Sequence, residues 1–286
     1  MKIISFLVLI MILNLSAQES REDLYENIDL DDNDKITKAT IKQYVNSSFN
    51  VSAHNANFFL PFSYRSEDSY YDLKDHNHDD PPKQLESEFQ VSIKYDVGSN
   101  LFNLDEIYTV AYTQKSFWQT YTNSAYFRET NYNPELFITM PLRVNKFTSG
   151  IRGARIGFAH ESNGQGGIYE RSWNYYYTDL YFQLGFIFMD LKLWQPFGSL
   201  NYNPDLMDYL GYGHLRFVVP YKKHIFEVKF KSAFNGHNSY DAHYTYPLFG
   251  TDDVFIFIKA FQGYGESLID YQTNVSKLGI GFSISR

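Results

Sequence analysis

The sequence predicts an all-β chain, an antiparallel barrel that crosses a membrane, with a short polar segment ahead of it. Three observations carry that reading. Apolar and polar residues alternate with period two in several segments, aromatic residues make up 19% of the 286-residue chain, and the N-terminus has the form of an export signal.

The export signal comes first in the chain. Lys2 precedes an apolar run from Ile3 to Leu13, which gives way to Leu15-Ser16-Ala17 and then polar Gln18. Residues 1–17 therefore read as a signal peptide cleaved near Ala17. The run is shorter than the roughly 20 apolar residues a spanning helix needs. Past it no apolar stretch approaches that length, and the mean hydropathy is −0.38. A helical membrane protein is thereby excluded, whereas a barrel of alternating strands is not. With no cysteine, the chain is neither a disulfide scaffold nor anchored through a lipidated N-terminal cysteine. A net charge of −8 argues against a nucleic-acid partner, since phosphate binding needs a basic surface.

Residues 18–52 form the polar, acidic N-terminal segment, periplasmic or plug-like, with a short helix expected over Ile36–Val45. Asp29, Asp31 and Asn33 imitate the first ligands of an EF-hand loop. Asp34 stands where the turn glycine belongs and Thr40 where the closing glutamate belongs, so a solvated acidic turn is expected there. Ser66 to Lys83 reads as a long loop. Its Asp75, His76, His78, Asp79 and Asp80 lack a defined metal-ligand spacing.

The barrel is expected over 53–286. Phe89, Val91, Ile93 and Tyr95 alternate with Gln90, Ser92 and Lys94; Phe226, Val228 and Phe230 alternate with Glu227, Lys229 and Lys231. Leu278, Ile280, Phe282 and Ile284 do so with Lys277, Gly279, Gly281 and Ser283. Periodicity alone fits a soluble sandwich with its apolar face inward or a membrane barrel with that face toward lipid. The 25 Tyr and 25 Phe, clustered at Tyr175-Tyr176-Tyr177, Tyr181-Phe182, Tyr244 and Tyr246, favour the barrel, whose interfaces carry aromatic belts.

One strand-like segment carries candidate chemistry. In Gly157-Phe158-Ala159-His160-Glu161-Ser162-Asn163-Gly164, His160 and Ser162 are two residues apart and share a face. A base beside a hydroxyl is the minimal unit of a nucleophilic serine. They share parity with Phe158, so if Phe158 meets lipid the pair opens on the outer wall. After Gly164, Gly166 and Gly167, the run Arg171-Ser172-Trp173-Asn174 starts the returning strand, and Asn174 becomes a cross-strand neighbour able to orient the imidazole. The same glycines also suit a plain flexible hairpin turn. A soluble esterase would frame its serine with glycines in a Gly-x-Ser-x-Gly elbow, but Ser162 is flanked by Glu161 and Asn163.

His160-x-Ser162-Asn163-Gly164 followed by Arg171-Ser172-Trp173-Asn174 resembles the signature of the outer membrane phospholipase A family. Tyr112-Thr113-Gln114-Lys115-Ser116, Trp118-Gln119, Phe127-Arg128-Glu129-Thr130-Asn131-Tyr132, Gly263-Tyr264-Gly265-Glu266-Ser267-Leu268-Ile269-Asp270-Tyr271 and Leu60-Pro61-Phe62 are similar to further hallmark segments. The resemblance runs from about His54 to the C-terminus. The segment before Ser52 and the final Arg286 lie outside it.

The resemblance implies a twelve-stranded antiparallel barrel in an outer membrane, with catalytic groups on the lipid-facing wall near the outer leaflet. It implies hydrolysis of acyl esters of phospholipids and lysophospholipids by a calcium-dependent enzyme active as a homodimer. Ser162 would then be the nucleophile, His160 its base and Asn174 the orienting group, with the Gly164 N–H as oxyanion donor. For calcium it implies Ser124 from the partner protomer and the carbonyl of Gln165. The pattern departs elsewhere, since Gly167 replaces an aspartate, Tyr202 an acidic residue and Glu170 a serine. Glu170 is therefore the expected substitute ligand. Gln114 is either turned inward or paired with its twin across the dimer. The competing expectation is a non-enzymatic barrel, a porin or adhesin that keeps the scaffold.

Overall fold

The computed structural model describes residues 51–66, 81–142, 150–251 and 253–285. The expected signal peptide, the Ile36–Val45 helix, the acidic turn at Asp29–Asn33 and the Asp75–Asp80 cluster lie outside the described residues.

Among the described residues, thirteen strands run in chain order: β1 (Val51–Ala53), β2 (Phe58–Arg65), β3 (Leu85–Ser99), β4 (Ile107–Trp118), β5 (Phe127–Pro141), β6 (Ile151–Ser162), β7 (Ser172–Leu184), β8 (Ile187–Phe197), β9 (Gly213–Tyr221), β10 (His224–Ser232), β11 (Asn238–Pro247), β12 (Phe255–Gly263) and β13 (Val275–Ser283). Each of β2 to β13 pairs antiparallel with its sequence neighbours, and β13 returns to β2, closing a twelve-stranded barrel. Closure leaves no sheet edge inside the membrane, where an unpaired backbone group would be costly. The short β1 pairs only with β3, further along the same edge that β2 uses. A single helical turn, α1 (Leu206–Leu210), sits in the β8–β9 loop.

The expected alternation resolves in favour of the membrane barrel. Val91, Ile93, Phe226, Val228, Leu278, Ile280 and Phe282 are exposed on the outer wall. Their polar neighbours turn into the lumen, which holds a cavity of about 1510 Å³ lined by Lys94, Glu227, Lys229 and Lys231 among others. The Tyr175-Tyr176-Tyr177 cluster splits across the wall. Tyr176 faces out at 56% exposure, while Tyr175 and Tyr177 are buried in the lumen beside Trp173 and Trp194. Only part of the aromatic content is therefore a belt.

Near the end of the barrel that carries the longer loops, the lumen is filled by a charged cluster. Arg128 grips Glu86 through Nε at 2.9 Å and Nη2 at 3.2 Å, and reaches Asp270 through Nη1 at 3.0 Å. Arg65 joins Asp270 at 2.6 Å. Lys277 spans Glu86 (2.8 Å), Glu88 (3.0 Å) and Glu266 (3.2 Å), and Lys259 contacts Glu88 (2.5 Å) and Glu266 (3.0 Å). Lys115 adds a longer contact to Glu88 at 3.5 Å, so five cations meet four carboxylates around the Phe117 ring, and Lys277, Arg128 and Lys115 lie over its face. Pairing matters, because an unpaired charge in such a place costs several kcal/mol.

Candidate active site

The candidate site grows out of the β6–β7 hairpin. In β6 the odd positions face the lumen and the even positions face out: Ile156 and Phe158 are exposed, and Ala159 is fully buried. Gly157 faces inward, where the Tyr177 ring lies so close that a Cβ would stand 2.4 Å from it. His160 and Ser162 thus emerge on the outer wall, on the face Phe158 indicates.

The hairpin register places His160 opposite Asn174 and Ser162 opposite Ser172. His160 Nδ1 and Asn174 Oδ1 are 2.9 Å apart. An amide oxygen only accepts, so Nδ1 carries the proton and Nε2 is left as the basic nitrogen. Ser162 and His160 are not hydrogen-bonded to each other; the side-chain bond of His160 is the one to Asn174.

The other flank of β6 is tuned around His160. Tyr132 pairs with Ser162 and Glu135 with Ala159, which sets Pro134 opposite His160. Proline has no N–H to give the ladder. The side-chain amide of Asn133 supplies one instead, donating to the His160 carbonyl at 2.7 Å. Behind the wall, Trp173 Nε1 donates to Glu161 at 2.9 Å, a lumen-side bond between the two strands that present the outward residues.

Beyond Ser162 the chain turns through residues 163–171, including a 3-10 turn at Gly167–Tyr169. Gly164 has φ +66°, and a Cβ there would meet the Tyr132 ring at 2.9 Å, so glycine is favoured on both counts. Its N–H has no hydrogen-bond acceptor among the described residues. Gly166 and Gly167 border open space.

The residues expected to bind metal are less gathered. Gln165 and Glu170 lie in this turn, and Ser124 is exposed in the β4–β5 loop. No group of three His, Asp or Glu able to hold a metal occurs among the described residues. Arg171 does not pair with the Glu170 carboxylate; its Nη1 donates to the carbonyls of Ile168 (2.9 Å) and Glu170 (2.7 Å). Gln114 shares the outward parity of Val110 on β4, since Ala111 and Phe117 are the buried positions, so the inward placement does not hold. Its amide is satisfied within its own strand, accepting from Tyr112 Oη at 3.1 Å and donating to Ser116 at 3.3 Å.

A sequence comparison aligns residues 29–284 with the phospholipase A1 family. The chain belongs to the phospholipase A1 family. Its match begins upstream of His54, inside the segment that the motif resemblance leaves aside. A Neisseria meningitidis relative assigned to phospholipase A1 is 35% identical over 209 residues, covering 70% of this chain and 54% of that protein. The chain thus spans about half of that relative's length. The phospholipase A1 of Salmonella typhimurium is 28% identical over 250 residues, 86% of each chain. Among solved structures, the Salmonella typhi outer membrane phospholipase, a dimer with bound calcium, superimposes with a TM-score of 0.77 at 27% identity, covering 88% of this chain and 97% of that one. The family and the barrel together make this chain an outer-membrane protein.

The sequence brought out Ser162, His160 and Asn174, and the structure assembles them on one face. Asn133, Pro134, Glu161 and Asn163 support that face without having been singled out. Their visible signal was parity: Asn133, Glu161 and Asn163 each sit one position from an outward residue and turn to the lumen side, while Pro134 shares the outward face with His160.

Proposed function

We propose that this phospholipase A1 hydrolyses acyl esters of phospholipids and lysophospholipids at the outer leaflet, with Ser162 as nucleophile. The observation that carries the reading is the His160–Asn174 hydrogen bond on the outward face, one row from Ser162. Orientation follows from loop lengths. The β6–β7 connection lies at the end with the long loops, and outer-membrane barrels keep short turns on the periplasmic side and longer loops outside.

Ser162 Oγ attacks the ester carbonyl as His160 Nε2 takes its proton. The tetrahedral oxyanion that forms is within the reach expected of the unengaged Gly164 N–H. Collapse breaks the bond to the alcohol, which leaves with the proton held by His160. A water, deprotonated by the same nitrogen, then cleaves the acyl-enzyme and restores Ser162. Asn174 fixes the tautomer throughout, stabilising the imidazolium less than a carboxylate would.

Calcium fits the 163–171 turn in kind. The Gln165 carbonyl and the Glu170 carboxylate are hard oxygen donors beside open space, and with one carboxylate the turn needs a further donor, for which the partner subunit's Ser124 is the candidate. The ion would add positive charge near the developing oxyanion. Homodimerisation supplies that serine and offers the outward Gln114 a second partner, and the dimeric, calcium-bound Salmonella typhi structure supports this reading.

The test is fatty-acid release from mixed phospholipid micelles by the refolded protein, with and without chelator. Release that needs Ser162 and calcium is expected. A barrel that folds and releases none would turn the assignment toward a porin or adhesin.

A further inference from the structure

Asn163 follows the nucleophile and precedes the oxyanion glycine, yet its side chain points the other way, into the lumen. There it is buried to 4% exposure and fully engaged. Its Oδ1 accepts the N–H of Arg171 at 3.0 Å and of Gln165 at 3.3 Å, and its Nδ2 donates to the Tyr169 carbonyl at 2.9 Å. Its backbone N–H adds a bond to the Arg171 carbonyl at 3.0 Å. The amide can sit only this way round, because the N–H partners must donate and the carbonyl must accept. One side chain therefore cross-braces both ends of the 163–171 turn from inside.

The brace is anchored further in. The second Nδ2 hydrogen is directed toward Glu129 Oε2 at 3.5 Å. The other oxygen of Glu129 accepts from Asn131 Nδ2 at 2.5 Å and from the Ile269 N–H at 3.1 Å, and Asn131 Oδ1 accepts the Leu268 N–H at 3.1 Å. Two hallmark segments, Phe127–Tyr132 and Gly263–Tyr271, thus converge on the turn that holds Gly164.

We infer that Asn163 is a positioning residue that fixes the Gly164 N–H for the oxyanion, and that Glu129 is its anchor. This rests on the reading of Ser162 as nucleophile and Gly164 as donor. A donor that stabilises a transition state must be held before charge develops, since reorienting it during the reaction forfeits much of its benefit. Gly164, with its left-handed backbone and no side chain, cannot hold itself. Asn163 holds it from the adjacent position without occupying the face where substrate arrives.

The experiment compares Asn163→Leu, which keeps bulk but removes every side-chain bond, with Asn163→Asp, which keeps both acceptor bonds and sets an oxygen against the Tyr169 carbonyl. Both are refolded, folded barrel is scored by heat-modifiable migration, and kcat and KM are read on phospholipid micelles beside Ser162→Ala. Expected is a fall in kcat of more than about tenfold for Leu and a smaller fall for Asp, with KM within about twofold, the signature of a lost transition-state contact. Parental kcat in either folded variant, or a raised KM with kcat unchanged, overturns the inference. Should Asn163→Leu not refold, Asn163→Asp decides alone. Activity in Ser162→Ala would instead sink the underlying assignment, so the two failures are told apart.

Discussion

The two faces of the β6–β7 hairpin are built to opposite specifications. Outward, His160, Ser162 and Asn174 are partly exposed and joined by one side-chain bond. Inward, Trp173 is bonded to Glu161, Asn163 makes several bonds across the turn, and the Trp173 and Tyr175 rings are stacked at 4.0 Å. On the proposed function the outer face admits an ester and so cannot be crowded. Its rigidity has to come through the wall, from residues one position away in sequence and on the opposite side of the sheet.

If that division is right, substitutions on the outer face should remove chemistry and spare the fold, and those on the inner face should do the reverse or both. The largest effect is expected for Ser162→Ala and His160→Ala, each reducing fatty-acid release about 10⁴-fold or more, since members of one catalytic unit fail together. Both should retain heat-modifiable migration. Asn174→Ala should fall less, because the orienting group is the least essential of the three. An Asn174 variant as inactive as Ser162→Ala would break that ranking.

On the inner side, Arg128→Ala leaves Glu86 and Asp270 without their shared partner in a buried cluster. A loss of about 3–5 kcal/mol in unfolding free energy is expected, measured by denaturant titration in micelles. Stability unchanged in that variant would show the cluster to be slack and would undercut the division between faces.

Glu170→Gln sharpens the comparison at the one place where the turn itself is expected to bind an ion. Half-maximal activity should require about tenfold more calcium, equivalent to ~1.4 kcal/mol, with saturating calcium restoring much of the rate. An unchanged requirement would locate the carboxylate ligand elsewhere.

A smaller effect is expected at Asp205, in the loop between β8 and β9. Burial raises its pKa, but hydrogen bonds from Tyr271 and Gln272 outweigh burial and hold it below the ordinary carboxylate value. Its contribution is therefore present above the unfolded-state pKa, near 4, and is lost as pH falls through the lower folded value. Asp205→Asn should lower the Tm slightly at pH 7 and not at all at the acid end; an equal drop at both would assign the effect to packing.

Much of the outer face was legible in the sequence because period two is a local property. Phe158, His160 and Ser162 declare a common face by spacing alone, and the twelve residues from Ser162 to Asn174 allow a turn and a return. Which face that was became certain only with closure of the barrel. Closure also turned Tyr175 and Tyr177 inward and Gln114 outward, neither of which alternation could decide. The lumen was the least legible part. Arg65, Glu86, Arg128, Asp270 and Lys277 come from four strands and a loop, with Lys277 bonded to Glu86 across a sequence separation of 191, and no local pattern joins them. Asn163 was hidden differently, inside a motif whose neighbours Ser162 and Gly164 drew the chemical interpretation.

The most direct test is covalent. Refolded protein is treated with a long-chain sulfonyl fluoride, digested and mapped by mass spectrometry, alongside His160→Ala. The account predicts one adduct per chain on Ser162, with loss of activity in step with labelling, and little labelling in the His160 variant. Inactivation with the adduct on another residue, or full labelling of Ser162 without His160, would contradict it.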